Sequence, residues 1–387
     1  MLPRAVQDQL GLMRLIAEIR RGLHQQSRRG RAPQRQGPLR HAQERERNLH
    51  QYVRRTDSGV VTERLLSDRI VNLLYARTRA QPGVLLRMLG RPRVSKMLAH
   101  FTFDSPLVAR LIGYQRFLRG CGVNLDECVD RPESLDTPRK LFERRIRYWD
   151  CRPLPDEPDA VVSPADARVL VGSLRSGSPL FLKGMFFTFE ELLAWNKTAW
   201  LQAFRDGDFA IFRLTPDQYH YNHVPVSGTV LDLYDIPGDC HACNPGAVVE
   251  LATPYSKNKR VVTIIQTDVS GGSRVGLVAM IEVVALMIGE VMQCYSEARY
   301  DAPQPVRPGM FVRRGQPKSL YRPGSSTDVL LFQKGRVRFA YDLVRNLSRA
   351  EVRSRFSRGF GAALVETDVK VRSLIAVPAA VGRRDWQ

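Results

Sequence analysis

The period of the apolar positions changes along the chain. Val6, Leu10, Met13 and Ile16, with Leu12, Ile19 and Leu23 beside them, recur every three to four residues between arginines. That pattern predicts a basic amphipathic helix. Residues 25–43 are rich in Arg, Gln, Gly and Pro and read as a flexible, solvated linker. The helical period returns in 61–76 and 106–118, and Phe142, Ile146 and Trp149 continue it. From about Ala160 the texture turns to short β-branched and aromatic runs broken by Gly, Pro, Asp and Asn. Strands are predicted at 167–171, 209–214, 228–233, 261–267, 278–284, 329–332 and 336–339. Helical patterns over 184–193 and 192–204 interrupt them. The whole predicts an α+β protein: a basic arm and linker at 1–55, a helical region at 56–150, and a β-rich body at 151–387. No internal repeat of 20–50 residues is present.

The longest apolar run, 275–292, carries Glu282 at its centre and Glu290 near its end. It is too short for a spanning helix and reads as a buried strand with a following segment. Apolar residues make up 43% of the 387 and charged residues 25%, so a sizeable core forms and wholesale disorder is excluded. Six cysteines do not make a disulfide scaffold. The start lacks the pattern of a secretory leader, so secretion is not expected.

Charge changes this picture. Lys+Arg minus Asp+Glu is 59 − 39 = +20, and residues 1–55 hold +9 of it through 13 Arg against 4 acids. Such a balance predicts an anionic partner: nucleic acid, a phospholipid surface or an acidic substrate. A GC-rich genome would by itself raise the arginine content, so the charge counts for only part of its face value. The basic segments lack interleaved aromatics for base stacking, which argues against nucleic acid. The first helix fits two readings, a helix docked on the body and a membrane-surface anchor. Cys240-His241-Ala242-Cys243 resembles a metal knuckle, but no second Cys/His pair completes four ligands, so no metal is expected. Ser270-Gly271-Gly272-Ser273 lacks the Lys-Ser/Thr of a phosphate loop and reads as a hairpin turn.

Three segments carry candidate chemistry. Residues 161–166 supply Asp166. Residues 213–228 supply His220 and His223. Residues 321–332 supply Ser325 and Ser326 in a tight turn that runs into a strand. A hydroxyl, imidazoles and a carboxylate are the parts of an activated serine. Spacing alone cannot pair them, and the Gly-x-Ser-x-Gly elbow is absent.

From roughly Asp136 to Val377 the chain resembles the pyruvoyl-dependent phosphatidylserine decarboxylases. Leu141-Phe142-Glu143-Arg144 with Arg152-Pro153 resembles the Phe-Phe-x-Arg and Arg-Pro element. Ser163-Pro164-Ala165-Asp166 matches the Pro-Ala-Asp-Gly turn, with Ala167 for Gly. Leu182-Lys183-Gly184 and Phe189-Glu190-Glu191-Leu192-Leu193 match a Lys-Gly and a Leu-Glu-Glu-Leu-Leu element. Tyr219-His220, His223, Pro225-Val226 and Gly228 match Tyr-His-x-x-His-x-Pro-Val-x-Gly. Asn258 and Arg260 echo Asn-Glu-Arg, and residues 278–283 match a core strand.

The resemblance implies a chain that cuts itself. A serine hydroxyl attacks the preceding carbonyl, and elimination and hydrolysis leave a pyruvoyl group on the new N-terminus. That group forms a Schiff base with the amine of phosphatidylserine and accepts the electrons released with carbon dioxide, so pyridoxal phosphate is not needed. By position, His223 is the base, Asp166 orients it, and His220 serves substrate binding and proton transfer. Counting back from Phe332 selects Ser326 for cleavage, giving chains 1–325 and 326–387. Requiring a preceding Gly selects Ser325. Gln218, Ser227 and Lys259 replace family Asp, Asp and Glu, and Pro323 and Asp328 flank the turn. The expected product is phosphatidylethanolamine. The alternatives are decarboxylation of a soluble amino acid such as tryptophan, and a silent membrane-binding scaffold. The implied partners are a phospholipid substrate and an anionic membrane surface, with a homodimer allowed. The implied location is peripheral, on the cytoplasmic face.

Overall fold

The computed structural model describes residues 49–65, 123–176, 178, 185–285, 290–323 and 326–379. The amphipathic stretch 6–23, the linker 25–43, the helical patterns at 66–76 and 106–118, Gly184 and Ser325 lie outside the described residues.

The described residues form sixteen strands, numbered in chain order. The first eight are β1 Gln51–Arg54, β2 Val60–Thr62, β3 Val161–Val162, β4 Ala167–Ser173, β5 Asp208–Leu214, β6 Tyr221–His223, β7 Gly228–Ile236 and β8 Arg260–Gln266. There follow β9 Leu277–Val284, β10 Val291–Gln293, β11 Phe311–Val312, β12 Pro317–Tyr321, β13 Ser326–Phe332, β14 Val337–Phe339, β15 Thr367–Val369 and β16 Leu374–Pro378. Ten of them form one sheet in the order β11-β7-β8-β9-β13-β5-β4-β15-β1-β2. Its pairs are antiparallel except β1 with β15. Two small sheets, β10-β12-β6 and β14-β16-β3, complete the described body.

The strand pattern explains the order. β13 is buried along its whole length, and its Val329-Leu330-Leu331-Phe332 is apolar without alternation because both faces are covered. It pairs with β9 on one side and β5 on the other, setting Ser326 opposite Val284 and Leu214, and Asp328 opposite Glu282 and Phe212. The β-rich body predicted from Ala160 onward is therefore present, with strands at each of the predicted runs. The segment 275–292 supplies β9 and β10, and no helix among the described residues is long and apolar enough to cross a membrane. Residues 270–273 lie in the β8–β9 connection, where Gly271 and Gly276 take φ of +73° and +76°, a region closed to most side chains.

The helical reading of 56–150 needs correcting where it can be seen. Val60-Val61-Thr62 is a strand, folded back on β1 through Asp57-Ser58-Gly59. The Arg54 guanidinium holds the Asp57 carboxylate at 2.7 Å across that turn. Further on, the described residues hold short helical pieces, among them Pro138–Phe142 and Tyr148–Cys151. Pro138 starts the first of these with Thr137 capping it through the Lys140 N–H. Ile146 sits outside them, bridged to Cys128.

Candidate active site

Ser326 opens β13. It is fully buried, and its Oγ has no hydrogen-bond partner. Alternation along the strand puts Ser326 and Asp328 on one face and Thr327 on the other. Asp328 is also fully buried. Its Oδ1 lies 2.7 Å from the Tyr321 hydroxyl, and its Oδ2 has no partner. The same hydroxyl lies 3.1 Å from the Thr327 carbonyl. Burial, then the charge of Glu282 across the strand pair, pushes the Asp328 carboxyl well above the usual carboxylate range.

Glu282 itself stays charged. Burial pushes it up, but Lys318 beside it wins, and its carboxyl sits below the usual range. Lys318 Nζ lies 2.6 Å from Oε2, where Gln293 Nε2 also donates at 3.1 Å. Asn222 Nδ2 donates to Oε1 at 3.1 Å, and the Ser319 hydroxyl donates to the same oxygen. One ionised and one un-ionised acid thus face each other across β9 and β13.

His223 ends β6. Its Nδ1 faces the Gly315 carbonyl at 2.8 Å and its Nε2 faces the Tyr219 hydroxyl at 2.9 Å. A carbonyl only accepts, so the proton sits on Nδ1, and Nε2 accepts a hydrogen bond from the Tyr219 hydroxyl. Burial draws the imidazole down to about 3, so it is neutral and able to accept a proton. Tyr219 continues to the Tyr300 hydroxyl at 2.7 Å. His220 is fully buried and stacks on Phe142, ring centroids 3.6 Å apart. Its Nδ1 donates to the Gln218 carbonyl at 2.8 Å, and its Nε2 is unpartnered. Burial first, then the Arg144 charge, holds it well below its usual value.

Asp166 follows the 163–165 turn, whose Pro164 carbonyl accepts from the His223 N–H at 2.7 Å. Arg152 grips the carboxylate through Nε and an Nη at 3.2 and 2.9 Å, and the Val371 N–H adds a bond of 2.8 Å. Burial works against ionisation, yet the Lys370 and Arg152 charges hold the group well below the carboxylate range. The structure thus brings Asp166 and His223 close through backbone, but their side chains share no hydrogen bond. Nor does it bring His223 into hydrogen-bond contact with Ser326. Two segments nevertheless each hold several buried side-chain atoms without partners, Thr215, Gln218, His220 and Asn222 in one and Ser326, Thr327 and Asp328 in the other. The segments are joined where Ser326 pairs with Leu214 and the Tyr321 N–H donates to the His220 carbonyl.

Several residues here escaped sequence reasoning. Glu282 was visible as a charge in an apolar run, but its Lys318 partner lies 36 positions away. Tyr219 was visible only as part of a motif, and nothing marked Tyr300. A further buried cluster joins His50, Glu63, Arg213 and Glu366. Spacing alone would let the two acids and the imidazole hold a metal. Arg213 fills that place, however, with bonds of 2.6 Å to Glu366 and 2.7 Å to Glu63. The loop 240–243 is packed inward, and Cys243 is a buried thiol.

A β-rich fold that buries an unpartnered serine at the start of its central strand, and two neutral imidazoles in the segment next to that strand's partner, defines a class of chain whose chemistry centres on that serine. A family model described as phosphatidylserine decarboxylase matches residues 139–357. The chain belongs to the phosphatidylserine decarboxylase family. It is 31% identical over 297 residues to phosphatidylserine decarboxylase proenzyme 2 of rice, covering 75% of this chain and 45% of that protein. It is 29% identical over 307 residues to proenzyme 3 of Schizosaccharomyces pombe, covering 76% and 29%. The proenzyme of Ruminiclostridium cellulolyticum is 27% identical over 283 residues, covering 73% and 87%. The chain thus spans less than half the length of the plant and yeast relatives.

Proposed function

We propose that the chain is a proenzyme that cuts itself before Ser326 and then decarboxylates phosphatidylserine to phosphatidylethanolamine. The observation that carries this reading is Ser326: buried, without a hydrogen-bond partner, and first in the strand at the centre of the sheet. A serine kept only for packing or for a structural bond would have its hydroxyl satisfied. The relatives' names as proenzymes support self-processing.

The residues fit a pyruvoyl group derived from that serine, because its own segment keeps polar atoms with open bonding capacity at Thr327 and Asp328 while the strand beyond it is held on both sides. Such a group supplies a carbonyl that accepts the electrons left when carbon dioxide departs. The chain's own residues do the rest. His223, neutral with Nε2 as its acceptor, is the group to take the serine proton, and Tyr219 must yield that nitrogen when it does so. His220 keeps a buried, open Nε2 suited to moving a proton on the substrate. Asp166, locked ionised by Arg152 and Lys370, puts a fixed negative charge near both imidazoles and favours their protonated forms when these arise. Association with an anionic membrane surface through the basic arm at 1–55, on the cytoplasmic side, is part of the same proposal. So is pairing of two copies.

Intact mass tests the reading. Cleavage before Ser326 gives a small chain of 387 − 326 + 1 = 62 residues with a blocked N-terminus. The cut protein should release carbon dioxide from phosphatidylserine vesicles without added pyridoxal phosphate. A single uncut chain in active preparations, or activity on free tryptophan and none on phosphatidylserine, would overturn it.

A further inference from the structure

Asp328 has no part in the roles assigned so far, yet it is the titratable side chain nearest along the strand to Ser326 on the same face. Two residues of strand put their Cβ atoms about 7 Å apart. A serine hydroxyl and an aspartyl carboxyl that lean toward each other can close that gap. Both ends are buried, and both Ser326 Oγ and Asp328 Oδ2 are without partners. We propose that Asp328 is a positioning residue for Ser326: its carboxyl, anchored through Oδ1 by Tyr321, holds the serine hydroxyl through Oδ2. The inference rests on the self-processing reading and names a residue that tunes it.

The groups around Asp328 decide its protonation. From β12 comes the Tyr321 hydroxyl, and from β9 the Glu282 carboxylate with Lys318 paired to it. β5 offers only the Phe212 ring opposite. Glu282 already receives bonds from Lys318, Gln293, Asn222 and Ser319, so it has little capacity left for Asp328. Tyr321 has one proton and two acceptors within reach, Asp328 Oδ1 and the Thr327 carbonyl. An un-ionised Asp328 suits this setting. It places no second negative charge against Glu282, and its remaining proton can be donated from Oδ2. A serine oxygen that accepts this bond keeps its own proton free for the base. Ionised, the same carboxyl would set a full negative charge beside the oxygen on which charge develops during attack, and cleavage would slow. A neutral carboxylic acid used as a donor is an established device for such charge.

The test follows cleavage of the full-length precursor, made by cell-free synthesis, by intact mass at pH 6 to 10 with no substrate present. Wild type, Ser326→Ala, Asp328→Ala and Asp328→Asn are compared. The wild-type rate should be level at neutral pH and fall in the alkaline range, approaching tenfold per pH unit. Asp328→Ala should cut on the order of 100-fold more slowly, the scale of a lost donor. Asp328→Asn keeps a donor that cannot ionise. It should cut at least ~10-fold faster than the alanine variant, on the same scale, and lose the alkaline fall. Asp328→Ala cutting at the wild-type rate overturns the inference. So does Asp328→Asn retaining the wild-type alkaline fall, a result that stays readable should the alanine variant not fold. Failure of wild type itself to cut would instead overturn the self-processing reading, whereas wild type cut beside uncut Ser326→Ala isolates the question of Asp328.

Discussion

Replacing Lys318 by methionine should invert the way stability depends on pH. Lys318 is the cation that keeps Glu282 ionised inside the sheet, and both side chains are fully buried. At 2.6 Å the pair attraction is roughly 6 kcal/mol with an effective dielectric of about 20. Methionine fills much of the same volume without the charge. The bonds from Asn222, Ser319 and Gln293 remain and offset part of the loss, so about 3–5 kcal/mol should disappear at neutral pH, as for other buried pairs broken on one side. The sign is the sharper test. In the wild type the folded pKa of Glu282 is below its unfolded value. Its contribution is present above the unfolded carboxylate range and is lost as pH falls through the folded value. In Lys318→Met, the remaining hydrogen bonds counter burial only in part, and the folded pKa rises above the unfolded one. The variant then loses stability as pH climbs through the unfolded range and recovers it in acid. Urea midpoints at pH 5 and pH 8 in a Ser326→Ala background, which keeps the chain whole, would show this. A loss below about 1 kcal/mol, against the scale of a broken buried pair, or an equal loss at both pH values, would refute the reasoning.

Two other predictions follow from described groups. His223, drawn down from 6.5 to about 3, should make the uncut protein less stable as pH falls from 6.5 to 3. The full effect is on the order of 4–5 kcal/mol, and a denaturation series on His223→Gln should show a shallower slope over that window. Removing residues 1–48 should leave self-cleavage intact but weaken binding to anionic liposomes in a salt-sensitive way, and unchanged flotation would exclude the arm as the anchor. The cut stops at 48 because Gln51–Arg54 is a strand of the main sheet.

Much of the body was legible because its strands are local. Runs such as 209–214 and 278–284 are β-branched or aromatic and end at turn residues, so propensity and burial agree there. β13 was read only from Val329, since Ser326-Thr327-Asp328 looks polar and loop-like. Those residues are strand because β5 and β9 pair with them, a fact no local window contains. Val61 was assigned to a helix because the 3.6-period pattern running to Ala76 outweighed a three-residue strand whose partner is β1. The order of site residues was legible through family resemblance, but the imidazole and carboxylate contacts were not. Whether Asp166 bonds His223 or Arg152 depends on side chains that converge from segments far apart in the chain, Arg152, Asp166, His223 and Lys370.

The placement of residues 326–379 bears on what becomes of the molecule once it is cut. β13 lies between β9 and β5, and β15 between β4 and β1, so the C-terminal fragment is woven through strands of the N-terminal one. Before cleavage the whole sheet assembles within one chain, at the high effective concentration of tethered segments. Afterwards the same sheet could be rebuilt only by a bimolecular encounter, in which a short fragment must find two slots in a partner that lacks its own middle. The proposed cut before Ser326 would therefore turn a reversible fold into a kinetically guarded one. A cut molecule would last as long as its unfolding barrier holds, and dilution into folding conditions should restore the uncut precursor but not the cut pair.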